Sequence, residues 1–132
     1  MSDLINDRAI RTLRYALDGL SLRQQAIAQN MANLNTPGYK AARVSFEQEL
    51  QRLISQAASP QLPGPDGGPS PAEEAPQITV TRDESTSMRL DGNNVDIDWE
   101  MAHLAETVIN YNTVTELVSM KLAILKGVMK SM

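Results

Sequence analysis

The sequence predicts a mainly α fold: long N- and C-terminal helices forming an antiparallel coiled-coil-like hairpin, with a short middle helix, a Pro/Gly-rich loop and a minor β-like segment. Three observations lead there. Apolar residues recur at alternating three- and four-residue steps at both ends of the chain, the spacing that puts side chains on one seam of a helix. Six of the seven prolines crowd into the middle, between Ala57 and Pro76. Aromatic residues make up only 4% of the 132 residues, so the core must be built from Leu, Ile, Val, Ala and Met.

The N-terminal helix is expected from Ile10 to Leu34, with Ile10, Leu13, Leu17, Leu20, Ile27 and Met31 on its seam and Gln24 as the one break. Gly19 lies off that seam, where it costs a helix about 1 kcal/mol relative to alanine. The helix should stop in Asn33-Leu34-Asn35-Thr36-Pro37-Gly38-Tyr39. Pro37 lacks an N–H and disfavours α geometry at Thr36, and Pro-Gly at the central positions suits a type II turn. A second helix is expected over about Ser45–Ala58, with Phe46, Leu50, Leu53 and Ile54 on one side.

The stretch from Ala57 to Pro76 has one large apolar residue, Leu62, too little to offset ordering entropy, so an exposed loop is expected. Ile78-Thr79-Val80-Thr81 alternates like a short strand, and Asp91-Gly92-Asn93-Asn94 reads as a turn. Asp96 or Asp98 can cap the last helix, and Asp98 and Glu100 suit its positive end. The seam of that helix is Met101, Leu104, Val108, Tyr111, Thr115, Val118, Leu122, Leu125, Met129 and Met132. A second stripe, Val114, Leu117, Ile124 and Val128, is interrupted by Lys121. Two apolar stripes require more partners than one antiparallel neighbour supplies. The expected division is 1–58 for the first helix, turn and second helix, 59–95 for the loop and turn, and 96–132 for the last helix, all one structural domain.

Composition narrows function. With no cysteine, there is no disulfide framework, thiolate nucleophile or Cys-ligated metal. A single histidine, His103, forms no cluster. The net charge of −4 is concentrated in residues 41–100, which hold eleven acidic and four basic groups. Neither end carries a basic stripe interleaved with aromatics, so no nucleic-acid partner is expected. There is no basic segment followed by an apolar one of the kind a cleaved secretory signal has, and no apolar run approaches a membrane span of roughly 20 residues.

The block Asn30-Met31-Ala32-Asn33-Leu34-Asn35-Thr36-Pro37-Gly38-Tyr39 resembles the signature of the flagellar rod and hook axial proteins, which couples an Asn-x-x-Asn helix end to a Thr-Pro-Gly-aromatic turn. Asp91-Gly92-Asn93-Asn94-Val95-Asp96-Ile97-Asp98 with Glu100-Met101 resembles the start of the C-terminal helix in that family's short proximal-rod members. The resemblance covers about residues 5–55 and 85–132. The chain has no room for the inserted β domains of the distal members. It also passes from Asn35 straight into Thr36-Pro37-Gly38-Tyr39, unlike one of the two proximal-rod branches, which remains the nearest alternative.

The resemblance implies a structural subunit that assembles helically into a tube, transmits torque and encloses an export channel. Implied partners are further copies, other rod proteins, a rod-adaptor protein, a membrane-ring protein and the flagellar export apparatus. The implied location is the periplasmic rod of the basal body, reached by the flagellar type III route without a cleaved signal. No catalytic residue, cofactor, metal or small-molecule substrate is implied.

Plainer readings stand beside these. Asn30, Asn33 and Asn35 could bond between subunits or terminate a helix, and both stay open. Asp91 and Asn93 alternate like calcium ligands, but Val95, Asp96 and Ala102 break the pattern where it needs a ligand, a glycine and a bidentate glutamate. Glu73-Glu74 and Asp83-Glu84 read as loop charges, His103 as a solvated or interface side chain, and the seam methionines as adaptable filler. The rival functional class is a soluble regulator or chaperone whose hairpin dimerises into a four-helix bundle.

Overall fold

The computed structural model describes residues 8–58, 76–85 and 89–131. The order is α1 (Arg8–Ala32), β1 (Ala42–Ser45), α2 (Glu47–Ala58), β2 (Thr79–Arg82) and α3 (Ile97–Ser131). The fold is mainly helical, with two long terminal helices and one two-stranded sheet. Most of the expected Pro/Gly-rich loop, residues 59–75, and the last seam residue, Met132, lie outside the described residues.

The terminal helices run antiparallel. Asn30 in the last turn of α1 bonds Glu100 in the first turn of α3, while Tyr111 and Val114 further along α3 pack against the core cluster that includes Tyr15 and Leu20. The buried core is Tyr15, Leu20, Ala26, Ala42, Val44 and Phe46, flanked by Leu22, Leu50, Leu53 and Ile78. It therefore lies mainly on the side of α1 that carries the sheet and α2. Burying a side chain such as Phe46 contributes about 2–3 kcal/mol.

The sheet contains a strand that periodicity does not reveal. Ala42–Ser45 pairs antiparallel with Thr79–Arg82, in the register Ala42↔Arg82 to Ser45↔Thr79. In β1, Ala42 and Val44 point inward and Ser45 outward, whereas all four residues of β2 are exposed. The expected β-like segment is thus shifted by one residue and has a partner.

Of the α1 seam residues, Leu20 and Ile27 are buried within the chain, and Ile10, Leu13, Leu17 and Met31 are partly covered. On α3 the contact seam differs. The inward positions are Glu100, Leu104, Thr107, Tyr111, Val114, Val118, Lys121 and Leu125, still in three-four alternation. Leu104, Tyr111, Val118 and Leu125 belong to the expected seam, but Val108 and Leu122 remain 39% and 52% exposed. The inward face runs between the two apolar stripes, taking Leu104, Tyr111, Val118 and Leu125 from one and Val114 from the other, with Glu100, Thr107 and Lys121 between them. Glu100, tied to Asn30 and Arg43, stands at the N-terminal end of this inward face.

Candidate functional site

The turn after α1 is built as its residues dictate. Tyr39 N–H bonds Thr36 C=O at 3.3 Å, and Gly38 has φ 72°, the combination a type II turn requires. A Cβ at Gly38 would meet nothing within 4 Å, so the demand for glycine there is one of backbone conformation alone. Pro37 and Asn35 are exposed, as is Thr36, whose hydroxyl donates to Asn33 Oδ1 at 3.0 Å. Asn33 Nδ2 donates to Gln29 C=O at 2.8 Å, closing the last turn of α1.

Asn30 is fully buried and uses its whole amide inside the chain. Its Oδ1 accepts from Ala42 N–H at 2.8 Å and from the Tyr39 hydroxyl at 3.1 Å. Its Nδ2 donates to Ala42 C=O at 3.0 Å and to Glu100 Oε1 at 3.2 Å. The side chain thereby acts as the missing neighbour of β1 on the edge away from β2.

The second sequence block meets the first. Asn93, also fully buried, directs Nδ2 at the carbonyls of Asn33 and Thr36, both at 2.8 Å, and of Leu34 at 3.1 Å. Asn33 C=O and Thr36 C=O also accept the backbone N–H groups of Thr36 and Tyr39, and Leu34 C=O accepts from Arg89, so Asn93 adds a further donor to the carbonyls where α1 ends and the chain turns. Asn94 Oδ1 accepts from Ala41 N–H at 2.8 Å, and its Nδ2 donates to Asp83 C=O. Gly38 N–H donates to Asp91 C=O at 2.8 Å, and Lys40 Nζ to Gly92 C=O at 2.7 Å. Gly92, at φ 83°, lets its turn lie against Gly38. Residues 30–42 and 91–100 are therefore one interlocked unit, an asparagine clamp.

Asp91 and Asp96 serve this unit through local bonds. Asp91 Oδ1 accepts from Asn93 N–H, and Asp96 Oδ1 caps α3 by accepting from Asp98 and Trp99 N–H at 3.0 and 3.3 Å. Asp98 is exposed in the first turn. Among the described residues no group of three or more metal-ligating side chains comes together.

Glu100 is the residue whose role sequence reasoning missed, having been read as a helix-dipole charge and as part of the second resembling block. Its side chain is fully buried, and Oε1 accepts from Arg43 Nη1 at 2.6 Å as well as from Asn30. The Arg43 guanidinium also lies 4.0 Å from the centroid of Trp99, which stacks on His103 at 4.6 Å. No local signal reveals this pair, because Arg43 stands 57 residues earlier.

Beyond the clamp, α3 is unusually apolar on its free sides. One flank shows Met101, Val108, Leu122 and Met129, each seven or fourteen residues apart, and the other shows Leu117, Ile124 and Val128. The exposed positions of α1 are different in kind: Arg11, Arg14, Asp18, Gln25 and Gln29, with Ala28 and Ala32 the only apolar ones.

Residues 10–40 match the family described as Flagella basal body rod protein. The chain is 35% identical over 120 residues to the flagellar basal body rod protein FlgB of Bacillus subtilis (strain 168), covering 91% of this chain and 92% of that protein. It is 39% identical over 111 residues to FlgB of Borrelia hermsii, covering 79% and 82%, and 30% identical over 111 residues to FlgB of Salmonella typhimurium, covering 80% of each. A buried clamp that holds two terminal helices, with apolar flanks left outside, is a building block's architecture, and the chain belongs to the FlgB family of flagellar basal-body rod proteins as a structural subunit of that rod.

Proposed function

We propose that the subunit builds the rod by packing the two flanks of α3 against two different neighbours. The observation that carries this is the pair of apolar stripes, one on each side of the α1 contact. Since the stripes differ in sequence, a contact of one stripe with the other is heterologous, and repetition generates a helical array instead of a closed pair. A dimerising regulator would instead present one self-complementary face. The array is a tube that crosses the periplasm, encloses the export channel and transmits torque. Its partners are other rod proteins, the rod-adaptor protein and the membrane-ring protein. The subunit reaches it through the flagellar export apparatus without a cleaved signal. Family membership supports assembly with rod components in the basal body and a structural rather than enzymatic role.

Single cysteines at Val108 and Ile124, introduced into the cysteine-free chain, test the packing by cross-linking in isolated basal bodies. Each should give a product with a neighbouring rod subunit, while a cysteine at Gln25 on the polar face of α1 gives less. Absence of products from either flank refutes the two-sided packing.

A further inference from the structure

Gly19 is buried in the middle of α1, where glycine is among the least favourable residues for a helix. It lies off the seam that faces α3. Its reason is Phe46. A Cβ at position 19 would stand 2.6 Å from Cγ of Phe46 and 2.7 and 2.8 Å from its two Cδ atoms. These atoms form the root of a rigid ring, so the ring cannot yield without moving the chain that carries it.

The ring is held from other directions as well. Tyr15 meets it edge-on, with centroids 6.2 Å apart and planes at 79°. The Arg23 guanidinium lies 4.6 Å from its centroid, donates to Val44 C=O at 2.9 Å and pairs with Glu47. Residues 44–47 are the end of β1 and the start of α2, so one notch in α1 seats the junction between them. By contrast, α2 has no buried residue of its own, and it meets α1 through Leu50, Leu53 and a bond from Arg8 to Gln56 C=O at 2.9 Å.

We infer that Gly19 is a positioning residue for rod assembly: the notch it leaves seats Phe46 and fixes the angle at which α2 lies along α1 in every subunit. This rests on the chain's place in the rod, but not on which neighbours cover the flanks of α3. A failed flank cross-link would leave it standing.

The test uses the full chain with spin labels on cysteines placed at Gln51 in α2 and Asn112 in α3, both exposed. The starting protein should give one narrow distance distribution. Gly19→Ala should shift or broaden it and abolish motility, although far-UV circular dichroism shows equal or greater helicity, since alanine favours the helix. Phe46→Leu in that background should clear the added methyl, return the distance and restore motility. Phe46→Leu alone should broaden the distribution without moving its mean, which covers the case in which Gly19→Ala does not fold. An unchanged distance in Gly19→Ala, or an altered distance with normal motility, overturns the inference, as does failure of the double variant to recover.

Discussion

Asn30→Asp is the sharpest perturbation of the clamp because it changes one group and no volume. The acceptor half of the side chain survives, still facing Ala42 N–H and the Tyr39 hydroxyl. The donor half becomes a carboxylate oxygen aimed at Ala42 C=O and at Glu100 Oε1, now 3.0 and 3.2 Å from an acceptor instead of a donor. Ala42 C=O loses that donor at a cost of about 1–3 kcal/mol, while Glu100 Oε1 keeps Arg43 as its donor. Two like charges at that separation add up to about 5 kcal/mol at an effective dielectric constant of 20, part of which Arg43 offsets. The expected loss is about 4–6 kcal/mol at neutral pH, a large share of the roughly 5–15 kcal/mol that holds an ordinary domain together.

Asn30→Ala should lose less, about 3 kcal/mol, because it removes partners without adding a charge. The two variants also separate with pH. Burial and the neighbouring carboxylate raise the introduced group's folded pKa above its unfolded value of about 3.9. Stability from its protonated form is therefore fully present below about 3.9 and is lost as pH rises through the folded value. Urea unfolding at pH 7.5 and pH 5 measures both effects. An aspartate variant as stable as the parent at pH 7.5, or one that falls further behind the alanine variant on acidification, would refute the assigned geometry.

Three other outcomes are expected. Gly38→Val should cost about 1–2 kcal/mol for its positive φ, with β-branched crowding in addition, and should block rod assembly while the protein is still secreted; Gly38→Asn should retain partial motility. Leu122→Asp should leave the monomer's unfolding curve nearly unchanged yet prevent incorporation into basal bodies, whereas Leu104→Asp, on the inward face, should destabilise the chain itself by several kcal/mol. Burial pushes the Glu47 carboxyl up, but hydrogen bonds from Arg23 and from the backbone amides of Phe46 and Glu47 together hold it below the usual carboxylate range. Its stabilising contribution is present above the unfolded pKa and is lost as pH falls through the lower folded value, so Glu47→Gln should flatten the acid limb of a stability-versus-pH curve.

The helices were legible because periodicity is local. The α1 and α3 patterns could be read directly, and the Pro37-Gly38 turn followed from two residues' allowed backbone angles. What stayed hidden depended on distant partners. Ala42–Ser45 carries no strand pattern, and it is a strand because β2 pairs one edge and Asn30 the other. Glu100 looks like any acidic first-turn residue until Arg43 and Asn30 arrive. Gly19 looked like a tolerated flaw in a helix, since nothing nearby announces that Phe46 needs the space. The asparagines were recognised as a motif, but their division of labour was not: Asn30 is internal, Asn33 closes its own helix and Asn35 faces solvent.

The clamp also imposes an order of events on the polypeptide. Asn30 and Ala41 must wait for partners 70 and 53 residues further along, and bringing such distant segments together costs chain entropy before any bond repays it. Until residues 91–100 are available, Asn93 cannot reach the carbonyls of Asn33, Leu34 and Thr36, Glu100 cannot meet Asn30 and Arg43, and only local bonds hold the exit of the first helix. An N-terminal fragment therefore holds fluctuating helix without a set geometry, and a fragment lacking the clamp's second half should be open to proteases along its whole length. The two ends of the chain acquire their shape together, so an incomplete subunit has no rigid surface with which to enter a growing structure.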